Sequence, residues 1–190
     1  MRAIKSFLIG LAAFSANPVQ AAKLLDCPLR DRPFSTNTPL VDIMLSPAAS
    51  AVLDTEMPGA LKGFPPSMAS TTPPTFAAIL DIRKAAGFRG YAKLDLGKID
   101  RALAAVPVTR ADKVARCARY DSKAPKLDIP AGKKRILLFE KINGFKDTPS
   151  VNGAHAAFIE IAKRNGWAIV TTENGAAFTP SILKKFDTVI

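Results

Sequence analysis

Histidine and cysteine are nearly missing from this chain: its 190 residues hold one histidine, His155, and two cysteines, Cys27 and Cys117. Neither their number nor their spacing forms a zinc pattern, and no metal is expected. There is no G-x-G-x-x-G fingerprint and no Walker A lysine motif, so the common dinucleotide and P-loop sites are excluded. The hydroxyl- and glycine-rich loop that holds flavin mononucleotide is absent too, and no cofactor is expected. No G-x-S-x-G elbow occurs and no cysteine follows Cys117, which leaves covalent catalysis by serine or cysteine unsupported. Aromatic residues make up 7% of the chain and are not interleaved with its basic residues. That pattern argues against base stacking, and so against nucleic acid as a partner.

What is present is a globular composition. The apolar share is 48%, ample for a packed core and unlike that of a disordered chain. Fifteen prolines concentrate before residue 131, so the first half should consist of short helices broken by turns. Residues 1–21 read as a signal peptide. Arg2 and Lys5 form a positive start, Phe7–Phe14 an apolar core too short to span a bilayer, and Val19-Gln20-Ala21 a small-residue cleavage site. Cleavage after Ala21 would deliver a secreted or periplasmic protein with no integral membrane contact. In that oxidising setting Cys27 and Cys117 could form a disulfide tying the N-terminal arm to the end of the helical region; a reduced buried pair is the alternative. The net charge of +11 is spread out, as expected of a basic solvated surface.

Residues 26–120 read as a small helical unit. Lys23–Asn37 should be an extended arm. Thr38-Pro39 and Ser46-Pro47 are start signals for helices over Leu40–Leu45 and Pro47–Met57, the second with Ala48, Ala51, Val52 and Thr55 on one side. Leu61–Pro74 should be loop. A single amphipathic helix is expected over Thr75–Ala86, with Phe76, Ile79 and Leu80 on its apolar side and Phe88 closing its cap. Asp95 should cap a helix Leu96–Val106 with a stripe of Leu96, Ile99, Leu103 and Val106. Thr109 and Asp112 resemble a capping box, opening a helix to about Tyr120. Residues 121–133, with Pro125 and Pro130, read as a linker.

From residue 134 to 190 the pattern becomes βαβαβ, an α/β unit with a parallel sheet. Strands are expected at Arg135–Phe139, Trp167–Thr171 and Asp187–Ile190. Helices are expected at Ser150–Arg164, with Val151, Ala154, Phe158 and Ile161 buried, and at Pro180–Lys185. Right-handed crossovers should place both helices on one face. The other face and an edge would then be open, so further strands are expected beyond Ile190.

Ligands of parallel sheets bind beyond the carboxyl ends of the strands. Glu140, Asn143, Lys146 and Asp147 follow the first strand, and Glu173 follows the second. Glu140, Asp147 and Glu173 are the catalytic candidates, since paired carboxylates can serve as acid and base. Asn143, Lys146 and His155 are candidates for holding substrate. Each could equally be an ordinary polar loop or helix residue.

Several of these features coincide with a known pattern. Gly144-Phe145 after the first strand, Asn165-Gly166-Trp167 after the helix, Thr172-Glu173 at the second strand end, and Phe178, Leu183 and Phe186-Asp187 before the third recur at matching spacing. On them, Arg135–Ile190 resembles the opening of a ThuA-like (trehalose utilisation) domain. The resemblance implies a class I glutamine amidotransferase-like, flavodoxin-like fold, generally without the amidotransferase cysteine. It implies a role in carbohydrate utilisation, with a small sugar as ligand, either hydrolysed or bound without turnover. One departure stands out: where that family usually has Arg-His, this chain has Lys146-Asp147. The helical unit, through Thr38–Asp42, Pro47–Leu53 and Pro58-Gly59, resembles a module attached to secreted bacterial carbohydrate-active enzymes and esterases, which implies packing or partner contact. Expression in an exporting bacterial host should yield a mature chain beginning at Ala22 by mass spectrometry. A chain retaining Arg2 and Lys5 would contradict the leader.

Overall fold

The computed structural model describes residues 24–62, 64–87 and 94–190. The expected leader, its expected cleavage after Ala21 and the expected cap by Phe88 lie outside the described residues.

The helical unit builds its own core. Helices α1 (Leu40–Met44), α2 (Pro47–Glu56), α3 (Pro66–Ala69), α4 (Ile82–Ala86), α5 (Leu96–Ala104) and α6 (Arg110–Ala118) are short. Local capping starts most of them. Ser46 accepts from the Ala49 N–H, Asp95 from the Lys98 N–H, and Thr109 with Asp112 completes a capping box. Thr38 does not cap α1; its hydroxyl accepts from the Ser35 N–H instead. Phe34, Val41, Ile43, Leu53, Ile82, Ile99 and Leu103 are fully buried together, and the α5 stripe falls as its spacing indicates. On α2 the buried line is Ala49 and Leu53, continuing to Met57, whereas Ala48, Ala51 and Thr55 are exposed. The side facing α1 and α5 is the one that packs.

Two segments differ from the sequence expectation. Pro66–Ala69, expected as loop, forms one helical turn with proline at its start. The single helix over Thr75–Ala86 is instead a 3₁₀ turn, Phe76–Ala78, followed by α4. Asp81 breaks it, capping α4 through the Lys84 N–H (2.8 Å) and pairing antiparallel with Pro39. An Asx side chain offers the backbone a local bond that competes with continuing the helix. The break lets the Leu80 carbonyl accept from the Leu40 N–H at 2.8 Å, joining two helix starts.

Residues 135–189 form a parallel three-stranded sheet with helices, an α/β arrangement. Strands β1 (Arg135–Phe139), β2 (Ala168–Thr172) and β3 (Thr188–Val189) lie in the order β2-β1-β3. Leu137 faces Val170 on one side and Val189 on the other. Helix α7 (Thr148–Asn165) links β1 to β2, and α8 (Pro180–Leu183) lies between β2 and β3. Gly166, at φ 65°, ends α7. The Trp167 and Gly166 N–H groups reach back to the Ala162 and Lys163 carbonyls, the Schellman arrangement that glycine alone adopts without strain.

The strand order corrects the expectation of both helices on one face. The chain steps from β1 to β2, then returns across β1 to β3. Right-handed crossovers running in opposite directions lie on opposite faces. The buried positions agree with two covered faces: Ile136 and Leu138 point one way and Leu137 the other, all at 6% exposure or less. Phe139, on the Leu137 side, meets Phe178 of the β2–β3 connection edge to face at 4.8 Å. On α7 the covered line is Val151, His155, Phe158, Ile161 and Ala162, and Ala154 is exposed.

The junction between the two parts is set at the end of α6. Cys27 and Cys117 form a disulfide. The Arg116 Nη1 donates to the Leu29, Arg30 and Arg32 carbonyls, and its guanidinium lies 4.2 Å from the Phe34 ring centroid. Arg119 pairs bidentately with Asp42, Nε to Oδ1 at 3.2 Å and Nη2 to Oδ2 at 2.8 Å, with the Asp42 side chain fully buried. Burial pushes the Asp42 carboxyl above its ordinary range despite the Arg119 bonds. Asp42→Ala should therefore cost about 3–5 kcal/mol, since it strands a half-buried guanidinium. Replacing both Asp42 and Arg119 by leucine should cost much less. Urea denaturation of the single and double variants checks this ordering.

Candidate functional site

The carboxyl ends of β1 and β2 open into two loops, residues 140–147 and 173–175; the helical unit packs against the first, and Asp121 and Lys123 bond the second. Glu140 is fixed by the sheet, its N–H donating to the Thr172 carbonyl at 3.0 Å. Its carboxylate turns to α7, where His155 Nδ1 lies 2.8 and 3.0 Å from its two oxygens. The carboxylate is 17% exposed and the imidazole 43%. A carboxylate on Nδ1 favours the tautomer with its proton there and leaves Nε2 as an acceptor, the orientation of a general base. Sequence reasoning named both residues but not the pair. They are 15 positions apart, and only the path of the loop into α7 brings them together.

Asn143, Lys146 and Glu173 face a different place. Lys146 Nζ lies 3.7 Å from Glu173 Oε1, a loose and exposed pair worth little in stability. With Asn143, Lys141 and Asn174 they line a cleft of about 540 Å³ whose far wall is Pro73-Pro74 of the helical unit. A neighbouring cleft of about 410 Å³ shares Pro73, Asp121, Lys141 and Asn143 and is lined also by Arg119 and Tyr120. Glu140 and His155 line neither cleft.

Three contacts hold the first loop against the helical unit. The Asn143 carbonyl accepts from the Thr75 N–H at 2.8 Å. Phe145 stacks on Phe76, with ring centroids 5.8 Å apart. Gly144 lies so close to Ile79 that a Cβ there would sit 2.6 Å from the isoleucine side chain. The 3₁₀ turn with its exposed Ile79, anomalous for a helix, is what this loop packs on.

The segment expected to be a linker is part of the site. Asp121 Oδ2 accepts from Lys141 Nζ and from the Gly175 N–H, the latter at 2.6 Å. The Lys141 bond holds the Asp121 carboxyl below the usual carboxylate range. Two residues on, the Lys123 carbonyl accepts from Asn174 Nδ2 at 3.1 Å. Nothing local in the sequence marked Asp121, because both its partners come from distant strand ends.

Asp147 has a structural task. It is the N-cap of α7: its Oδ1 accepts from the Ser150 N–H and its Oδ2 from the Ser150 hydroxyl at 2.6 Å. The helix accordingly starts at Thr148, two residues before the expected Ser150. Among the described residues no group of three histidine, cysteine, aspartate or glutamate side chains is arranged to hold a metal, and no helix is long and apolar enough to cross a membrane. Comparisons with protein-family models, curated proteins and solved structures returned no match. Asp147→Ala should cost about 1 kcal/mol of stability as a lost cap and leave the cleft's ligand affinity unchanged. Chemical denaturation alongside a binding titration separates the two effects.

Proposed function

We propose that this chain is an exported protein of carbohydrate utilisation that binds a small neutral saccharide, trehalose or a modified disaccharide in class, at the carboxyl edge of its sheet. The observation that carries the reading is the cleft of about 540 Å³ walled by both strand-end loops and Pro73-Pro74, a volume in the range of small-molecule sites. Its charges come in opposed pairs: Lys141 with Asp121, Lys146 with Glu173, and Arg119 with Asp42 behind it. Such a surface offers donors and acceptors without a net field, which suits hydroxyl groups better than a carboxylate or phosphate. The strand order β2-β1-β3 agrees with the opening of the flavodoxin-like order 2-1-3-4-5. That agreement and the sequence resemblance together support a ThuA-like α/β domain.

A hydrolytic role is the second reading, and one observation favours it: the Glu140–His155 pair, with the imidazole oriented by a carboxylate. A scheme using Glu140 and Glu173 as paired carboxylates is less apt, because each already serves a different partner and only Glu173 lines the cleft. Titration of the protein with trehalose, followed by amide chemical shifts, should perturb Asn143, Lys146 and Glu173 saturably, and glucuronate should bind more weakly. Shifts confined to other surfaces, or none, would reject the saccharide reading. Slow release of glucose that disappears in Glu140→Gln and His155→Gln would assign hydrolysis; binding with no release leaves a binding protein.

A further inference from the structure

The two loops that form the cleft have few direct ties to each other. Lys146 and Glu173 touch loosely at 3.7 Å, and both loops are otherwise held through a third element. We infer that Asp121 is the positioning residue of this cleft, a single carboxylate oxygen that gathers the loop after β1 through Lys141 and the loop after β2 through the Gly175 N–H. The inference rests on the saccharide reading for its ligand but not for its geometry.

The physical case is one of anchoring. A residue can set the spacing of two loops only if its own backbone is fixed. Asp121 follows α6 by three residues, and that helix end is held by the Cys27–Cys117 disulfide, the Arg119–Asp42 pair and the Tyr120 N–H bond to the Cys117 carbonyl. The side chains of Asp121 and Lys141 are 29% and 23% exposed. Both bonds end on the same atom, Oδ2, which makes the Lys141-to-Gly175 separation depend on one position. The Asn174 bond to the Lys123 carbonyl extends the same clamp, two residues beyond Asp121 and one before Gly175. Pro73, Asn143 and Lys141 line both clefts, so a shift of the Asp121 carboxylate would change the wall they share.

Two variants separate positioning from simple stabilisation. Asp121→Asn keeps an oxygen that can accept from the Gly175 N–H and removes the charge that holds Lys141. Asp121→Leu removes both. Titrated with trehalose, the asparagine variant should lose about threefold in affinity and the leucine variant about thirtyfold. A residue that merely stabilises the fold would lower the unfolding midpoint of both variants, yet leave the affinity equal to wild type below that midpoint. That result overturns the inference, as does an asparagine variant no better than leucine. Hydrogen exchange without ligand provides the separate arm. The Gly175 amide should exchange about tenfold faster in Asp121→Leu, with shifts spreading to Asn143 and Glu173. If wild type fails to bind trehalose but Gly175 exchange rises this way, the saccharide reading falls and the positioning role stands. Unchanged exchange and unmoved loops overturn the role whatever the ligand. Should the leucine variant not fold, Asp121→Asn carries both readouts, with about threefold in affinity and a measurable rise in Gly175 exchange as the supporting outcome, and no change in either as the opposing one.

Discussion

The buried ion pair between Asp42 of α1 and Arg119 just past α6 is the constraint on which the joint between the two parts depends. A fully buried carboxylate is costly unless a cation meets it with good geometry. Arg119 does so through Nε to Oδ1 and Nη2 to Oδ2, and to do so the chain leaving α6 must pass one particular point. One turn earlier, Arg116 is held by three arm carbonyls and Cys117 by the disulfide. Asp121 emerges two residues after Arg119, already aimed at the ends of β1 and β2. Core polarity in the helical unit is thus coupled through one short segment to the geometry of the cleft.

The features legible in the sequence were those decided within about four residues. Ser46, Asp95 and the Thr109–Asp112 box start helices where their side chains can satisfy free backbone N–H groups. The run Ile136–Phe139 is a strand because it is apolar on both sides, and both sides are covered. The apolar line of α5 follows from period alone. Where a local signal competed with another, the reading failed. Phe76, Ile79 and Leu80 have helical spacing, but Asp81 captures the Lys84 N–H and starts a new helix. On α2, two alternative faces carry small residues of similar polarity, and only packing against α1 and α5 chooses between them. The face of the sheet on which each helix lies depends on strand order, which no local pattern encodes.

The placement of the candidate residues at one sheet edge was legible; their pairing was not. Every candidate named from sequence does lie at the carboxyl edge of β1 or β2, or on the helix between them, because topology alone sends those loops there. Which side chains meet is a matter of long-range geometry. Glu140 turns to His155, Lys146 to Glu173, and Asp147 back to Ser150. The cation and anion of the cleft that sequence reasoning passed over, Lys141 and Asp121, are 20 residues apart. A proline-bearing segment without periodicity reads as spacer, yet its first residue can still be bonded when the preceding helix end is rigid.

Asp147 caps an 18-residue helix, where a carboxylate sits favourably at the positive end of the helix dipole. His155 lies within α7 and reaches back to the Glu140 carboxylate, whose backbone N–H is bonded to the Thr172 carbonyl at the end of β2. A loop histidine would depend on the loop for its orientation. One on a helix, hydrogen-bonded to a sheet-fixed glutamate, has its direction set by two regular elements. The chain therefore divides two tasks between adjacent places: an oriented imidazole–carboxylate pair on the α7 side, and a charge-balanced cleft on the side of the helical unit. His155 lines neither cleft, so the pair and the cleft are separate features built from the same loop after β1.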